Sequence, residues 1–182
     1  MISDNEQLLI AGCKRGEPWA RRELYEKYAP AMLSLCVRYV ANRETAKDVL
    51  QDGFVKVFTH IGQYEARGPL PAWLRQIFVN TALEYLQKNE ILKMNVSMDH
   101  FSDSIDEFDH RALDKLTADD LLECVAELPD RSRSIFNLYA IEGYSHAEIA
   151  EKLNIQENTS RSQFARARKA LQQLVSDLMN KR

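Results

Sequence analysis

The sequence contains few residues that break helices and no long hydrophobic run. Six glycines and five prolines among 182 residues leave few positions for tight turns and argue against an extended or disordered chain. The longest mostly apolar run, 29–37, contains Pro30 and Ser34 and is far shorter than a membrane-spanning helix requires. Residues 1–7 also lack the basic and apolar segments of a secretion signal, so we expect no membrane insertion.

Cysteine and histidine are scarce and scattered. Cys13, Cys36 and Cys124 are odd in number and widely spaced, which is typical of buried thiols in the reducing cytoplasm rather than of disulfides or a zinc site. The four histidines do not approach metal-ligand spacing, and no Gly-rich phosphate loop, nucleophile elbow or HExxH motif is present. We therefore expect a cytoplasmic protein that is not an enzyme and that needs no metal or other cofactor.

Helical periodicity dominates the rest of the sequence. The chain is 45 % hydrophobic and 28 % charged, which supplies enough apolar material for packed cores, and no alternating pattern indicates a strand. The sequence therefore predicts an all-α fold. A Ser3–Glu6 capping box opens the first expected helix, and Pro18 and Pro30 each suit the first position of another. The expected helices cover 3–16, 18–28, 30–42, 45–61, 72–88, 118–128, 131–141, 146–153 and 157–179.

Composition changes between the two groups of helices. Residues 93–116 show little apolar periodicity and few basic residues, which is typical of an exposed linker. Their acids are Asp99, Asp103, Asp106, Glu107, Asp109 and Asp114. We therefore expect a first helical domain over 1–92, an acidic linker over 93–116, and a second helical domain over 117–182 that begins with a Thr117–Asp120 capping box.

The two longest helices expected in the first domain differ in their faces. Over 45–61 an apolar stripe lies opposite a polar face that includes Asp48, Gln51, Asp52 and Lys56, a pattern typical of an ordinary solvated surface. The helix over 72–88 is apolar nearly all round, so it is either deeply buried or buried on one side and covered by a ligand on the other.

Positive charge gathers near the end of a chain whose formal net charge is −3. Ser145 and Glu148 form a further capping box, and Asn154 stands where a turn between two helices needs a left-handed residue. This is the layout of a helix-turn-helix, whose second helix enters the major groove of DNA. A basic surface helix in a helical bundle is the simpler alternative. The cations of this segment are Arg161, Arg166, Arg168 and Lys169, against the single acid Glu157.

Helix geometry divides this last segment into two faces. Ser160, Phe164, Ala167 and Leu171 fall within a narrow arc that is expected to face the core. Small polar residues near the helix N-terminus can reach base edges, and Arg and Lys farther along can hold phosphates. The residues on or beside the outer arc are Asn158, Arg161, Ser162, Ala165, Arg166, Arg168 and Lys169.

Three segments make a family resemblance visible. "LPDRSRSIFNLYAIEGYSHAEIAEKLNIQENTSRSQFARARKAL" resembles the C-terminal domain of RNA polymerase sigma factors, and "DVLQDGFVKVF" and "AWLRQIFVNTALEYLQK" resemble their N-terminal domain. Two domains joined by a short linker resemble the extracytoplasmic-function (ECF) group of the sigma-70 family. The resemblance implies a sigma-two-like helical bundle and a sigma-four-like helix-turn-helix domain. It also implies promoter-specific initiation of transcription.

The resemblance assigns roles to particular residues. Asp48, Gln51, Asp52 and Lys56 match the helix that docks on the clamp of the largest polymerase subunit, and the second domain is expected on the flap of the second subunit. The residues that match the minus-ten reader are Gln63, Tyr64, Arg67, Asn80 and Lys88. Val79 departs from the family, which usually has a basic residue there.

The helix from Glu157 corresponds to the reader of the minus-thirty-five element, and an anti-sigma factor is a further expected partner. The alternatives are a helix-turn-helix regulator of another kind and an adaptor that binds polymerase without melting promoters.

Overall fold

The computed structural model describes residues 4–88 and 117–180, and every regular element in these two segments is helical. This confirms the all-α class. The chain divides into two units, Met1–Tyr85 and Leu86–Arg182, and the division falls in the last helical turn before the undescribed segment 89–116. The proposed linker with its acids, and the Ser3 side of the first capping box, lie outside the described residues.

The first unit contains four α-helices. Helices α2 and α3 pack along each other, and α1 packs on α2. Buried side chains from all four helices form the core, including Leu24, Tyr39, Val49 and Phe78. The helices are α1 (Asp4–Arg15), α2 (Pro18–Val40), α3 (Arg43–His60) and α4 (Leu70–Lys88), with a short 3₁₀ turn at Ile61–Gln63 after α3.

Helix α2 is continuous, whereas the sequence predicts a break at Pro30. A proline inside a helix removes one N–H donor and crowds the preceding turn. Pro30 lies on the exposed side of α2. The carbonyl of Glu26, which loses its helical donor because Pro30 has no N–H, is therefore on the side that faces water. Buried residues on both sides of the proline, such as Tyr28 and Met32, hold the two halves against the same core. The prediction of two helices was therefore wrong.

Helices α3 and α4 approach closely at a glycine. A Cβ placed on Gly53 would lie 2.2 Å from Cε1 of Phe78, and the Phe78 ring is fully buried. The absence of a side chain at Gly53 therefore allows the aromatic ring of α4 to lie directly on the backbone of α3. This contact sets the position of α4 relative to the outer face of α3.

Residues 117–180 of the second unit form four α-helices, three of which pack on the last. Helix α8 packs on α5, α6 and α7 and is common to all of these contacts. Leu128, Ala167 and Ala170 form a buried cluster, and Phe136 and Leu174 pack against it. The helices are α5 (Ala118–Ala126), α6 (Asp130–Phe136), α7 (His146–Leu153) and α8 (Glu157–Asn180), and α6 continues as a π-helical turn at Asn137–Ile141.

The boundaries of these helices follow from local signals. Thr117 and Asp120 form the predicted capping box at the start of α5. Ser145 and Glu148 form another at the start of α7, where Ser145 N donates to Glu148 Oε2 over 2.8 Å. Asn154 ends α7 in the left-handed conformation, with φ 51° and ψ 53°. Because all of these signals act within a few residues, the helix-turn-helix was predictable from sequence, and the structure confirms it.

Candidate polymerase and promoter interfaces

The outer face of α3 is polar and exposed, as its spacing predicts. Asp48, Gln51 and Asp52 are exposed, while Val49 and Val57 on the opposite side are buried. Asn42 caps the helix by accepting a hydrogen bond from Thr45 N over 2.9 Å. The carboxylates therefore stand on a rigid helix and contribute nothing to the core.

Three further residues complete this face, and one of them is the exposed Lys47, whose Nζ lies 2.7 Å from Oε1 of Glu44. Val55 is 64 % exposed, which places an apolar side chain beside the acids. Lys56 is half-buried, and its Nζ donates to Oε2 of Glu84 on α4 over 2.6 Å. The Lys56 charge, which the resemblance assigns to the polymerase contact, is thus already engaged with α4. Sequence periodicity gave no signal for this partner, because the two residues are far apart in the chain.

The loop between α3 and α4 corrects one expected site residue. The family match assigns Tyr64 to the minus-ten DNA, yet its side chain is only 4 % exposed. Its ring lies 5.3 Å from that of Trp73, and its hydroxyl donates to the carbonyl of Gly68 over 2.6 Å. Burial raises the pKa of this phenol, which therefore stays a hydrogen-bond donor. Tyr64 closes the loop from inside, and its ring is not open to an unstacked base.

The other minus-ten candidates are distributed over the loop and α4. Gln63, Arg67 and Lys88 are exposed, and Asn80 is half-buried. Arg67 Nη2 lies 2.5 Å from Oε2 of Glu65, so a carboxylate from the same loop accompanies its charge. Val79, which stands where the family usually has a basic residue, is 1 % exposed and belongs to the core.

The outer face of α8 carries several cations. Arg161, Arg166 and Arg168 are exposed, and Lys169 is half-buried. The same face also exposes three uncharged residues, Asn158, Ser162 and Ala165. Helical periodicity therefore predicted the exposure of this face except at Lys169, which is more covered than its place opposite the core predicts.

The inner face of α8 also follows the prediction, with one difference. Ser160 and Ala167 are buried, but Phe164 and Leu171 are only half-buried. The Phe164 ring packs against Tyr139, with 4.5 Å between the ring centroids, and Tyr139 is itself exposed.

An ion pair lies at the start of this basic face. Arg161 Nη2 is 2.5 Å from Oε1 of Glu157 one helical turn earlier, and both side chains are largely exposed. Exposed pairs of this kind contribute little to stability. The Glu157 carboxylate nevertheless stands beside the first arginine of the helix, where it would repel a phosphate and can accept a hydrogen bond from a cytosine amino group.

An aromatic cluster that sequence reasoning missed supports the start of α8. The His146 ring stacks on Tyr139, with 4.3 Å between centroids and 12° between planes, and lies near Phe164. His146 Nδ1 is 3.0 Å from Oγ of the buried Ser160. Burial, and then the nearby charge of Arg161, lower the pKa of His146. The π-helical turn that presents Tyr139 has no simple sequence signature.

The same segments show no arrangement for metal binding or for crossing a membrane. Within residues 4–88 and 117–180, no group of three or more His, Cys, Asp or Glu side chains is arranged to hold a metal ion. No helix in those ranges is long and apolar enough to cross a membrane. All three cysteines are buried, and burial raises the pKa of Cys36 to about 12.

Comparison with known proteins identifies the family. Residues 24–90 match the model of sigma-70 region 2, and residues 118–171 match that of sigma-70 region 4. The first range contains all of α3, and the second contains the part of α8 that carries the basic face. The chain belongs to the sigma-70 family of RNA polymerase sigma factors, within the ECF group.

Individual relatives span nearly the whole chain. The RNA polymerase sigma-H factor of Pseudomonas aeruginosa is 25 % identical over 189 aligned positions, which cover 98 % of each protein. The ECF RNA polymerase sigma-E factor of Haemophilus influenzae is 26 % identical, over 96 % of this chain and 97 % of that one. Among solved structures, the sigma factor RpoE of Bartonella quintana, in complex with the anti-sigma factor NepR, is 21 % identical. It aligns with a TM-score of 0.52 over 85 % of this chain and 96 % of that one, a likeness of fold.

Proposed function

We propose that this sigma factor binds core RNA polymerase through the outer face of α3 and directs promoter-specific initiation through its two helical units. One observation carries the proposal: a single chain presents an exposed acidic helix face in one unit and an exposed basic recognition-helix face in the other. The acidic face repels DNA and suits a basic protein surface, whereas the basic face suits phosphates.

The roles of the segments are assigned from the family resemblance. We assign residues 1–92 to polymerase binding and the minus-ten element, 93–116 to a linker, and 117–182 to the minus-thirty-five element. Asp48, Gln51 and Asp52 contact the clamp of the largest subunit, with Lys56 held by Glu84 at the edge of that contact. The second unit also docks on the flap of the second subunit. The protein works in the cytoplasm as a regulatory factor without catalytic activity of its own.

Within the minus-ten reader, the accessible candidates carry the contact. Gln63, Arg67 and Lys88 are on the surface and Asn80 is partly so, while Tyr64 shapes the loop from within. In the second unit, Asn158, Arg161, Ser162 and Ala165 face bases. The phosphate contacts fall to Arg166, Arg168 and Lys169 farther along the helix.

Free protein is expected to bind promoter DNA weakly. Its formal net charge is −3, and Glu157 and Glu65 each lie next to an arginine that DNA would need. An anti-sigma factor is proposed as the partner that keeps the protein from polymerase. The solved relative bound to NepR illustrates such a complex for its own protein.

Run-off transcription tests the proposal directly. Purified core polymerase is assayed on a library of promoters, with and without the chain, and with a variant that combines Arg166→Ala and Arg168→Ala. We expect defined start sites only with the intact chain, and a general loss with the variant. Binding to polymerase without any start site would indicate an adaptor. Tight, specific binding to duplex DNA without polymerase would indicate another kind of regulator.

A further inference from the structure

Helix α1 ends beside the loop that joins α3 to α4. Lys14, in the last turn of α1, donates a hydrogen bond from Nζ to the backbone carbonyl of Tyr64 over 2.7 Å. The helix is fixed in the first unit by the buried side chains of Leu9, Ile10 and Cys13. Helix α1 precedes the range that the region 2 model covers, so the family match assigns it no task.

The loop depends on Tyr64 for its shape. Tyr64 N donates to the carbonyl of Ile61 over 3.1 Å, and its hydroxyl donates to the carbonyl of Gly68 over 2.6 Å. Every residue from 65 to 69 is exposed, so no other side chain of that stretch is packed in the core. A change in the position of Tyr64 therefore moves the whole exposed part of the loop.

The backbone of the loop also needs external support. Ala66 has a φ of 56°, in the left-handed region that an alanine adopts at a cost. Conformations of this kind persist where the surroundings hold them. The neighbouring hydrogen bonds to Tyr64 supply that support, and the bond from the Lys14 ammonium has a charged donor, which makes it stronger than a neutral one.

We propose that Lys14 is a positioning residue for promoter recognition. By holding the carbonyl of Tyr64, it fixes the loop in the conformation that presents Gln63 and Arg67 to the minus-ten element, so α1 contributes to selectivity without touching DNA. The link from loop shape to selectivity rests on the proposed function of this loop. The link from Lys14 to loop shape does not.

Limited proteolysis of the free chain tests the first link. Trypsin cleaves after Arg67, which is exposed in the loop, and after Lys47, which lies within α3. We expect Lys14→Met to raise the ratio of cleavage at Arg67 to cleavage at Lys47 roughly tenfold. Lys14→Arg keeps a charged donor and should return the ratio to the wild-type value. The control is Arg22→Met, which removes an equal charge from an exposed ion pair with Glu26 and should change nothing.

Two results would overturn the link from Lys14 to loop shape. An unchanged ratio in Lys14→Met would show that the hydrogen bond does not hold the loop. An equal rise at both sites would show that the variant loosens the whole unit. Trp73 fluorescence provides a second measurement, because Trp19→Phe leaves Trp73 as the single tryptophan, in contact with the Tyr64 ring. Its emission should shift in Lys14→Met and not in Arg22→Met.

Transcription tests the second link. Polymerase with wild-type or Lys14→Met chain is assayed on promoters that carry single substitutions in the minus-ten element and, separately, in the minus-thirty-five element. We expect Lys14→Met to reduce discrimination at minus-ten positions and to leave discrimination at minus-thirty-five positions unchanged. Unchanged discrimination at both elements would overturn the inference. If the wild-type chain itself starts transcription nowhere, the proposed function is wrong, while proteolysis still decides whether Lys14 holds the loop.

Discussion

The two surfaces assigned to promoter DNA are built differently. In the second unit the candidates lie on one face of a single regular helix, and Arg161, Arg166 and Arg168 are all exposed there. In the first unit they are divided between a loop and a partly buried helix, and one of them, Tyr64, lies in the core. A helix face is defined by its own periodicity. The exposure of a loop residue is decided by whatever packs around it.

The faces of α3 and α8 also differ in charge. The basic face of α8 carries several cations with one acid, Glu157, at its start. The first unit instead presents an acidic face on α3, and its cations Lys56 and Arg67 each have a carboxylate partner. The basic face of α8 is therefore expected to attract phosphate more strongly than the outer face of α3 does.

The largest expected effect concerns the acidic face. Combined Asp48→Lys and Asp52→Lys should lower affinity for core polymerase by about ten- to a hundredfold, because like charges then meet across the contact. Both residues are exposed, so the melting temperature should stay the same. A quantitative pull-down with core polymerase measures the effect. The control combines Glu23→Lys and Glu26→Lys on the exposed side of α2. If both double variants bind core polymerase with equal affinity, the outer face of α3 is an ordinary solvated surface.

The next effect tests the link between the α3 face and α4. Gly53→Ala places a Cβ against the Phe78 ring and should lower the free energy of unfolding by about 1–3 kcal/mol through overpacking. Urea unfolding measures it. Gly62→Ala is the control, because a Cβ at that position would meet no atom within 4 Å apart from its local backbone and chain neighbours. Phe78→Leu in the same chain should recover part of the loss, and simple additivity of the two changes would contradict direct contact.

The third prediction separates readers from phosphate contacts on α8. Arg161→Ala should reduce the discrimination between bases at one position of the minus-thirty-five element, by about 1–3 kcal/mol for a bidentate contact. Arg168→Ala and Lys169→Ala should weaken binding to all promoters and reduce the salt dependence by roughly one counterion per lost phosphate contact. Holoenzyme binding is measured on a panel of elements at several salt concentrations. If Arg161→Ala and Lys169→Ala weaken binding to all elements by the same amount, α8 contacts only the phosphate backbone and does not distinguish bases.

How much was predictable differs between the same two regions. The helix-turn-helix followed from the Ser145–Glu148 capping box and the left-handed Asn154, which act within one or two turns. Its basic outer face followed from helical spacing, apart from the partial burial of Lys169. The burial of Tyr64 and the pairing of Lys56 with Glu84 had no local signal, since each joins residues that only the tertiary fold brings together.

The continuity of α2 was missed for a related reason. Local rules favour a helix start at Pro30, but burial of residues before and after it, such as Tyr28 and Met32, outweighs one missing hydrogen bond. The supporting cluster under α8 was missed because the π-helical turn at Asn137–Ile141, which presents Tyr139 to His146, departs from the regular periodicity.

The smallest expected effect is a pH dependence confined to the second unit. Burial is the main reason that the pKa of His146 is lowered; Arg161 adds to this and Glu157 opposes it. A lowered pKa means that the native state binds fewer protons than the unfolded state, so stability falls as pH drops below the ordinary histidine value of about 6.5. Protonation also makes Nδ1 a donor only, which requires the Ser160 hydroxyl to accept.

Amide hydrogen exchange at Ile149 and Ala167 measures this local stability, and NMR titration of the His146 ring gives its pKa directly. We expect exchange protection, corrected for the intrinsic pH dependence of exchange, to fall between pH 7 and about pH 5.5 in the wild type. His146→Phe keeps a ring against Tyr139 but does not titrate, so its protection should change less over the same range. A titration midpoint at or above the ordinary histidine value would show that the ring is not held in its neutral form. A midpoint equal to that value would make the support under α8 insensitive to pH, and a higher midpoint would mean that acid stabilises the unit.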